Sequence, residues 1–345
     1  MVIRWYRSVK SPIEPPESPC VRQPDDTHWR QFRDIDVKHD GVPLLLHVGQ
    51  FLTVCRREFS LVPDAGFAGA VQKFPQIIPH QDGSGVIDMV GIGISTDRIG
   101  QRVWVYEAQS DRAFGTAAQY VVIPSLNAVA LPGNVSFEIG ACLGIPAMTA
   151  HRCLFADGDI RGKWILIQGG AGAVGSAAIL LSKWAGARVI TTVSRPEQEA
   201  VVSKLGADII LNRRTEDIAE RVKQVTDGIG ADRIVDVDLA NNFNTDVACL
   251  RKSGVISAYA TDEPSTQLQI PFLKTMFEGF VFRFVFVYTM PEEARNEAIR
   301  DITACMKMGA YTPEVALTLP LADIATAHET LELGGTIGKI LISLE

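Results

Sequence analysis

The feature that most narrows the fold lies between Trp164 and Arg195: "WILIQGGAGAVGSAAILLSKWAGARVITTVSR". Four apolar residues suit a buried strand, and a glycine run follows. Apolar residues at helical spacing come next, and "RVITTV" is again strand-like. Strand, glycine turn, helix and strand in about 30 residues make a βαβ unit, whose strands run parallel.

The rhythm continues downstream. "PEQEAVVSKLG" reads as a helix with Pro196 in its first turn, and "ADIILN" as a strand. "TEDIAERVKQVTDG" is a helix with acids at its start, and "ADRIVDV" a strand. "NTDVACLRKSG" reads as a helix, and "VISAYA" and "VFRFVFV" as strands. Such alternation predicts an α/β fold with a parallel sheet covered on both faces. Upstream the texture differs. "VPLLLHVGQFLTV", "GSGVIDMVGIGIS", "QRVWVYEA" and "AAQYVVI" read as strands between turns, before a helical "NVSFEIGACLGIPAMTAHRCLF". The tail reads helix (291–309), strand ("PEVALTL"), helix ("ADIATAHETLEL") and strand ("KILISL"). The reading is two domains: residues 1–126 with 290–345, and residues 127–289.

With 345 residues the chain is long enough for two domains. A net charge of −7 argues against a general nucleic-acid binder. The most apolar run, "FVFRFVFVY", is too short to span a bilayer and contains Arg283. The N-terminus lacks the pattern of a secretory signal. The six cysteines include no CxxC pair and read as reduced thiols, so a cytoplasmic protein is expected.

Gly170-Ala171-Gly172-Ala173-Val174-Gly175 fits G-x-G-x-x-G, and its place between strand and helix gives the motif weight. The first glycine allows the tight turn, and the second lets backbone approach a pyrophosphate. The third lets helix and strand pack closely. Orphan N–H groups at the helix start, including those of Ala173 and Val174, suit an anion. About 20 residues on, an NAD-selective site carries an acid for the ribose 2′-OH. Here Ser194 and Arg195 stand in its place. A guanidinium pairs with a 2′-phosphate, and Arg213, followed by Arg214, is close enough in such a fold to help. NADPH is therefore the expected cofactor.

"GIPAMTAHRCL", "GGAGAVG", "KLGAD", "FNTDVACLRKSGVI" and "GGTIGKILISL" together resemble the medium-chain dehydrogenase/reductase superfamily, and within it the quinone oxidoreductase (zeta-crystallin) group. The likeness runs from about Phe74 to Leu344. It implies a GroES-like β-rich catalytic domain, a Rossmann doubly wound parallel-sheet coenzyme domain, and a cleft between them. It also implies a homodimer or homotetramer, with dimers pairing through the last coenzyme-domain strand, here "VFRFVFV". By the same resemblance Thr149 approaches the cofactor, and Tyr259, Phe284, Val285 and Phe286 line the nicotinamide pocket. Lys339 is placed close to the cofactor.

Zinc-dependent members need three protein ligands and an open position. The first falls near Cys55. The histidine position falls on Gln81, with His80 one residue off, and the third falls near Ile145. That set does not make a metal site, so no zinc is expected. Without a Lewis acid, hydride delivery to an electron-poor acceptor replaces alcohol oxidation. The expectation is a quinone reductase. The alternatives are an alkenal or enoyl-thioester double-bond reductase, and a non-catalytic NADPH-binding structural or RNA-associated protein. Relatives carry Asn, Asp and Tyr where this chain has "VCRREFS". Glu58, Arg57 and Tyr106 offer polar contacts, and no catalytic residue is assigned.

Overall fold

A computed structural model describes residues 43–53 (backbone), 74, 76–262, 265 and 267–344. Cys20, Cys55, Arg57 and Glu58 lie outside the described residues, as does the proline-rich start.

The first sheet begins with β1 (Pro43–Thr53), β2 (Gly83–Val90), β3 (Arg102–Val105), β4 (Val121–Pro124) and β5 (Ala128–Ala130). Two helices follow, α1 (Phe137–Ala141) and α2 (Gly144–Phe155). Then come β6 (Trp164–Ile167), α3 (Ala173–Trp184), β7 (Arg188–Val193), α4 (Pro196–Lys204), β8 (Ile209–Asn212), α5 (Ile218–Val225) and β9 (Ala231–Asp236). The unit ends with α6 (Leu239–Cys249), β10 (Leu250–Ala258), α7 (Phe272–Glu278) and β11 (Val281–Phe284). The chain closes with α8 (Glu292–Lys307), β12 (Val315–Pro320), α9 (Ile324–Glu332) and β13 (Lys339–Ser343).

Strands β6 to β11 form one six-stranded sheet in the order β11-β10-β9-β6-β7-β8, every neighbour parallel. Numbered within the sheet, that is 3-2-1-4-5-6 read from β8, the doubly wound order. The order reverses between β6 and β9, and the glycine turn leaves β6 at that crevice. The other sheet runs β12-β13-β1-β2-β3-β5, with β4 also on β1. It is antiparallel except where β12 meets β13. The fold is thus α/β, a Rossmann-type sheet beside a largely antiparallel one, as the sequence implies.

Two elements depart from the sequence reading. The single helix expected over 134–155 breaks at Cys142–Leu143. Pro146 lacks the N–H that would continue it, and Gly144 turns the chain at φ +31°. The helix expected over "NTDVACLRKSG" starts earlier, at Leu239, and stops at Cys249. Leu250 instead pairs with Ala231 in the sheet. Helix α7 had no clear periodic signal. It ends at Gly279, whose φ of +64° closes it left-handed.

One contact ties the two ends of the first sheet's domain. His80, in the turn before β2, has φ +82°, which costs a side-chain-bearing residue about 1–3 kcal/mol. Its Nε2 lies 3.0 Å from Nε2 of His328 on α9, and both rings are buried. Burial, and then the neighbouring imidazole, pushes His80 down to about 3, and burial pushes His328 down to about 4. Both rings are therefore neutral in the folded protein at neutral pH. The unfolded chain takes up protons below its ordinary histidine range of about 6.5, and the folded one does so only near 3–4, so stability falls as pH drops through this window. The thermal midpoint is expected to fall between about pH 7 and about pH 5, and His328→Phe should reduce that fall. Scanning calorimetry across the range checks this; an unchanged slope in the variant would refute it.

Candidate functional site

The carboxyl ends of the six parallel strands share one edge, and the residues expected to hold a dinucleotide follow them. After β6 the turn is set by close contacts. Gly169 has φ +69°. A Cβ on Gly170 would lie 2.0 Å from Thr191 Oγ1. One on Gly175 would lie 2.4 Å from the Gly169 carbonyl oxygen. These two positions admit only glycine. Gly172 and Ala173 are exposed at the start of α3, where first-turn N–H groups have no intrahelical acceptor. Lys339 is buried, and its ammonium donates to the Ala173 carbonyl at 3.2 Å. Residues from β13 and from the glycine turn, 166 apart in sequence, thus meet at one helix terminus.

Ser194 and Arg195 follow β7, and Arg213 follows β8. The Arg213 N–H donates to the Val193 carbonyl at 3.0 Å, so the two strand ends are adjacent. Among the described residues, neither Arg195 nor Arg213 is held in an ion pair, whereas nearby Glu216 pairs with Arg221 at 3.0 Å. The Ser194 hydroxyl donates to Gln198 Oε1 at 3.2 Å, and the same oxygen accepts the N–H groups of Ser194 and Arg195. Gln198 was missed by sequence reading. Its place three residues after the cap Arg195 is the capping-box position.

Tyr259 follows β10, and its N–H donates to Asp236 O at 3.1 Å. Val285 follows β11 and is buried, with its N–H on Ala258 O. Phe284 and Phe286, on either side of it, are 70% and 61% exposed. They flank the strand end rather than fill a core. Thr149 is buried in the middle of α2.

The positions aligned with metal ligands are otherwise engaged. Gln81 Oε1 accepts the Gln109 N–H at 2.9 Å. Ile145 presents its N–H to Asp82 Oδ1 at 2.9 Å. Among the described residues no group of three or more His, Cys, Asp or Glu is arranged to hold a metal ion.

Asp82 is a further residue the sequence did not single out. It is fully buried beside Gly144, where a Cβ would lie 2.0 Å from its Oδ1. Its Oδ2 has no partner among the described residues. Burial pushes it up to about 8, against the Ile145 N–H and Lys339, which favour the charged form. Glu107 nearby adds like charge. At neutral pH Asp82 is therefore mostly a neutral acid at the junction of the first sheet, α2 and Lys339.

The chain is similar to known dehydrogenases and reductases in sequence and fold. The family model "Zinc-binding dehydrogenase" matches residues 173–304. Quinone oxidoreductase of Pongo abelii is 29% identical over 272 residues, covering 77% of this chain and 79% of the relative. A solved NAD-dependent alcohol dehydrogenase superposes with a TM-score of 0.74 at 25% identity, over 90% of this chain and 95% of the other. Escherichia coli quinone oxidoreductase, solved with NADPH, shares the fold with a TM-score of 0.74 at 21% identity, over 88% of this chain and 92% of the other. The class is thus the medium-chain dehydrogenases/reductases, a superfamily of oxidoreductases. Within that superfamily, the curated relatives it resembles include quinone oxidoreductases.

Asp82 yields a signed prediction. The unfolded chain loses this proton near the ordinary carboxyl range, and the folded one holds it up to about 8. Stability therefore falls as pH rises from about 4 to about 8. Relative to wild type, Asp82→Asn should gain on the order of 1 kcal/mol per pH unit across the upper part of this range. Denaturant unfolding at several pH values measures it; parallel curves for the two proteins would exclude the assignment.

Proposed function

We propose that the protein is a zinc-independent, NADPH-dependent reductase that passes hydride to quinones. The observation that carries the cofactor choice is the pair of strand ends at Ser194-Arg195 and Arg213. Arg195 takes the sequence position of a ribose-binding acid that would repel a 2′-phosphate, Arg213 follows the adjacent strand, and neither is in an ion pair among the described residues. The glycine turn fits a dinucleotide because it leaves backbone exposed at the helix start, with an ammonium beside it. In this reading Gly170, Gly172, Ala173, Val174, Gly175 and Lys339 hold the pyrophosphate. Ser194, Arg195 and Arg213 hold the 2′-phosphate. Thr149, Tyr259, Val285 and Phe286, with Phe284 at the rim, border the nicotinamide end. The catalytic domain is assigned to residues 1–126 and 290–345, and the coenzyme domain to 127–289.

When bound, the dinucleotide supplies the hydride. The protein's work is then to fix the ring, exclude water and leave the acceptor's oxygen open to a proton. A quinone is electron-poor already and needs no Lewis acid, and its reduced form takes its proton from solvent. Zinc independence is supported by Gln81 and Ile145, whose polar groups are spent within the fold. A homodimer is proposed through β11, an edge strand that bears exposed Val281. No helix among the described residues is long and apolar enough to cross a membrane, and a cytoplasmic location is proposed.

Two measurements test the proposal. NADPH oxidation should be fastest with 1,4-benzoquinone or 9,10-phenanthrenequinone, and unchanged by chelator or by added zinc. Faster turnover of 2-alkenals or crotonyl-CoA would move the assignment to double-bond reduction, and no turnover at all would favour a binding role. Arg195→Ala should raise KM for NADPH about tenfold or more and leave KM for NADH within about twofold, since a charge-assisted phosphate contact contributes about 1.5–3 kcal/mol. Equal effects on both cofactors would refute the role of Arg195.

A further inference from the structure

Beneath the glycine turn lies a polar network that the cofactor reading does not use. Gln168, the residue before the turn, donates from Nε2 to Asp246 Oδ1 at 2.8 Å. Its Oε1 accepts the Thr192 hydroxyl at 2.8 Å, and the Thr192 oxygen accepts the Gly169 N–H at 2.9 Å. Gly170 N–H donates to the Thr192 carbonyl at 3.2 Å. The turn therefore hangs from Thr192, Thr192 from Gln168, and Gln168 from one carboxyl oxygen of Asp246 on α6.

Asp246 is fully buried, and so is Asp236 at the end of β9. Asn242, which donates to Asp236, stands one helical turn before Asp246, so Asp246 lies on the face of α6 turned to Asp236, and the charge of each carboxyl is felt by the other. Asp236 Oδ1 already accepts the Asp238 N–H and the Asn242 Nδ2, each at 2.8 Å. The second oxygens, Asp236 Oδ2 and Asp246 Oδ2, have no hydrogen-bond partner among the described residues. Two ionised carboxyls close together in a dry site repel strongly. One proton between them turns the repulsion into a hydrogen bond. The other titratable groups acting on the pair do not remove this need. Asp238 adds negative charge from the loop after β9, and Cys249, on the same helix as Asp246, is pushed up to about 12 by burial and then by Asp246. Cys153 on α2, pushed up to about 12 chiefly by burial, is likewise neutral. Burial raises both carboxyls, and Asp236, whose Oδ1 takes two donors where Asp246 takes one, is the better placed to stay charged, which leaves the proton to Asp246.

We propose that Asp246 is a positioning residue, carried as a neutral acid whose proton bridges to Asp236, and that this proton fixes the glycine turn for dinucleotide binding through Gln168. The proton occupies the edge of Asp246 facing Asp236. That leaves Oδ1 as the acceptor for Gln168, and the chain of bonds to Gly169 is then directional from end to end. The inference rests on the dinucleotide reading of the turn.

Asparagine is the mimic of the protonated acid, because its amide donates to Asp236 while its oxygen accepts from Gln168. NADPH dissociation constants are measured by fluorescence titration at neutral pH, with folding checked by circular dichroism. Asp246→Asn should bind NADPH within about twofold of wild type, and Asp246→Ala about tenfold more weakly, the size of one lost buried hydrogen bond. Infrared spectra should show the C=O band of an undissociated carboxyl in wild type, reduced in Asp246→Asn. Asp236→Asn tests the same bridge from the other side and should also preserve binding, its amide donating to an ionised Asp246; it serves if an Asp246 variant does not fold. Binding by Asp246→Asn as weak as by Asp246→Ala, or an infrared band that Asp246→Asn leaves intact, would overturn the proposal. If wild type binds neither NADPH nor NADH, the dinucleotide reading fails, while the infrared band still decides where the proton resides.

Discussion

The two sheets are joined by one helix that has almost no solvent face. Along α2, Gly144, Pro146 to His151, Cys153 and Leu154 are all buried. A helix apolar on every side must be surrounded, and each part of α2 meets a different piece of the molecule. Its first turn receives Asp82, the residue before β2 of the antiparallel sheet. Its middle packs on α3, and His151 reaches Asp301 on α8 at 2.9 Å. At its end the Cys153 carbonyl accepts Arg233 from β9. Just beyond, Asp157 takes both Arg233 and Arg283, which ties β9 and β11 together. Thr149 sits at its centre, and Lys339, which donates to the Ala173 carbonyl, acts on Asp82 beside its first turn.

Much of the parallel sheet was legible because parallel strands covered on both faces must be apolar runs separated by turn and helix signals. "WILI", "RVITTV" and "ADRIVD" each became the strands they resemble. The glycine motif was legible for a stronger reason. Its glycines answer steric contacts with Thr191 and Gly169 that no other residue tolerates. Less legible were elements decided by tertiary pairing. Leu250 to Ser253 carry helical texture but are drawn into β10 by Ala231 across the sheet. Helix α7 is too short to show a period.

Within the candidate site, the expectation for Arg195 and Arg213 rests on a local signal, a missing acid at a fixed distance from the glycines. The buried acids leave no such signal. Asp82, Asp236 and Asp246 look in sequence like any surface aspartate. What makes them unusual is the desolvation imposed by segments far along the chain, such as Gly144 against Asp82 and Gln168 against Asp246. A neutral acid is a property of the assembled interior, so no window of neighbouring residues reports it.

The order of strands in the antiparallel sheet also governs how the protein is made. β1, near the start of the chain, pairs with β13 at its end, and His80 keeps its left-handed backbone against His328, 248 residues later. The parallel sheet is built from one continuous stretch and has all its strands once β11 has been synthesised. During translation the coenzyme-type sheet is thus complete while the first sheet still exposes an open edge. β13, made after every other strand of that sheet, is the one that closes it.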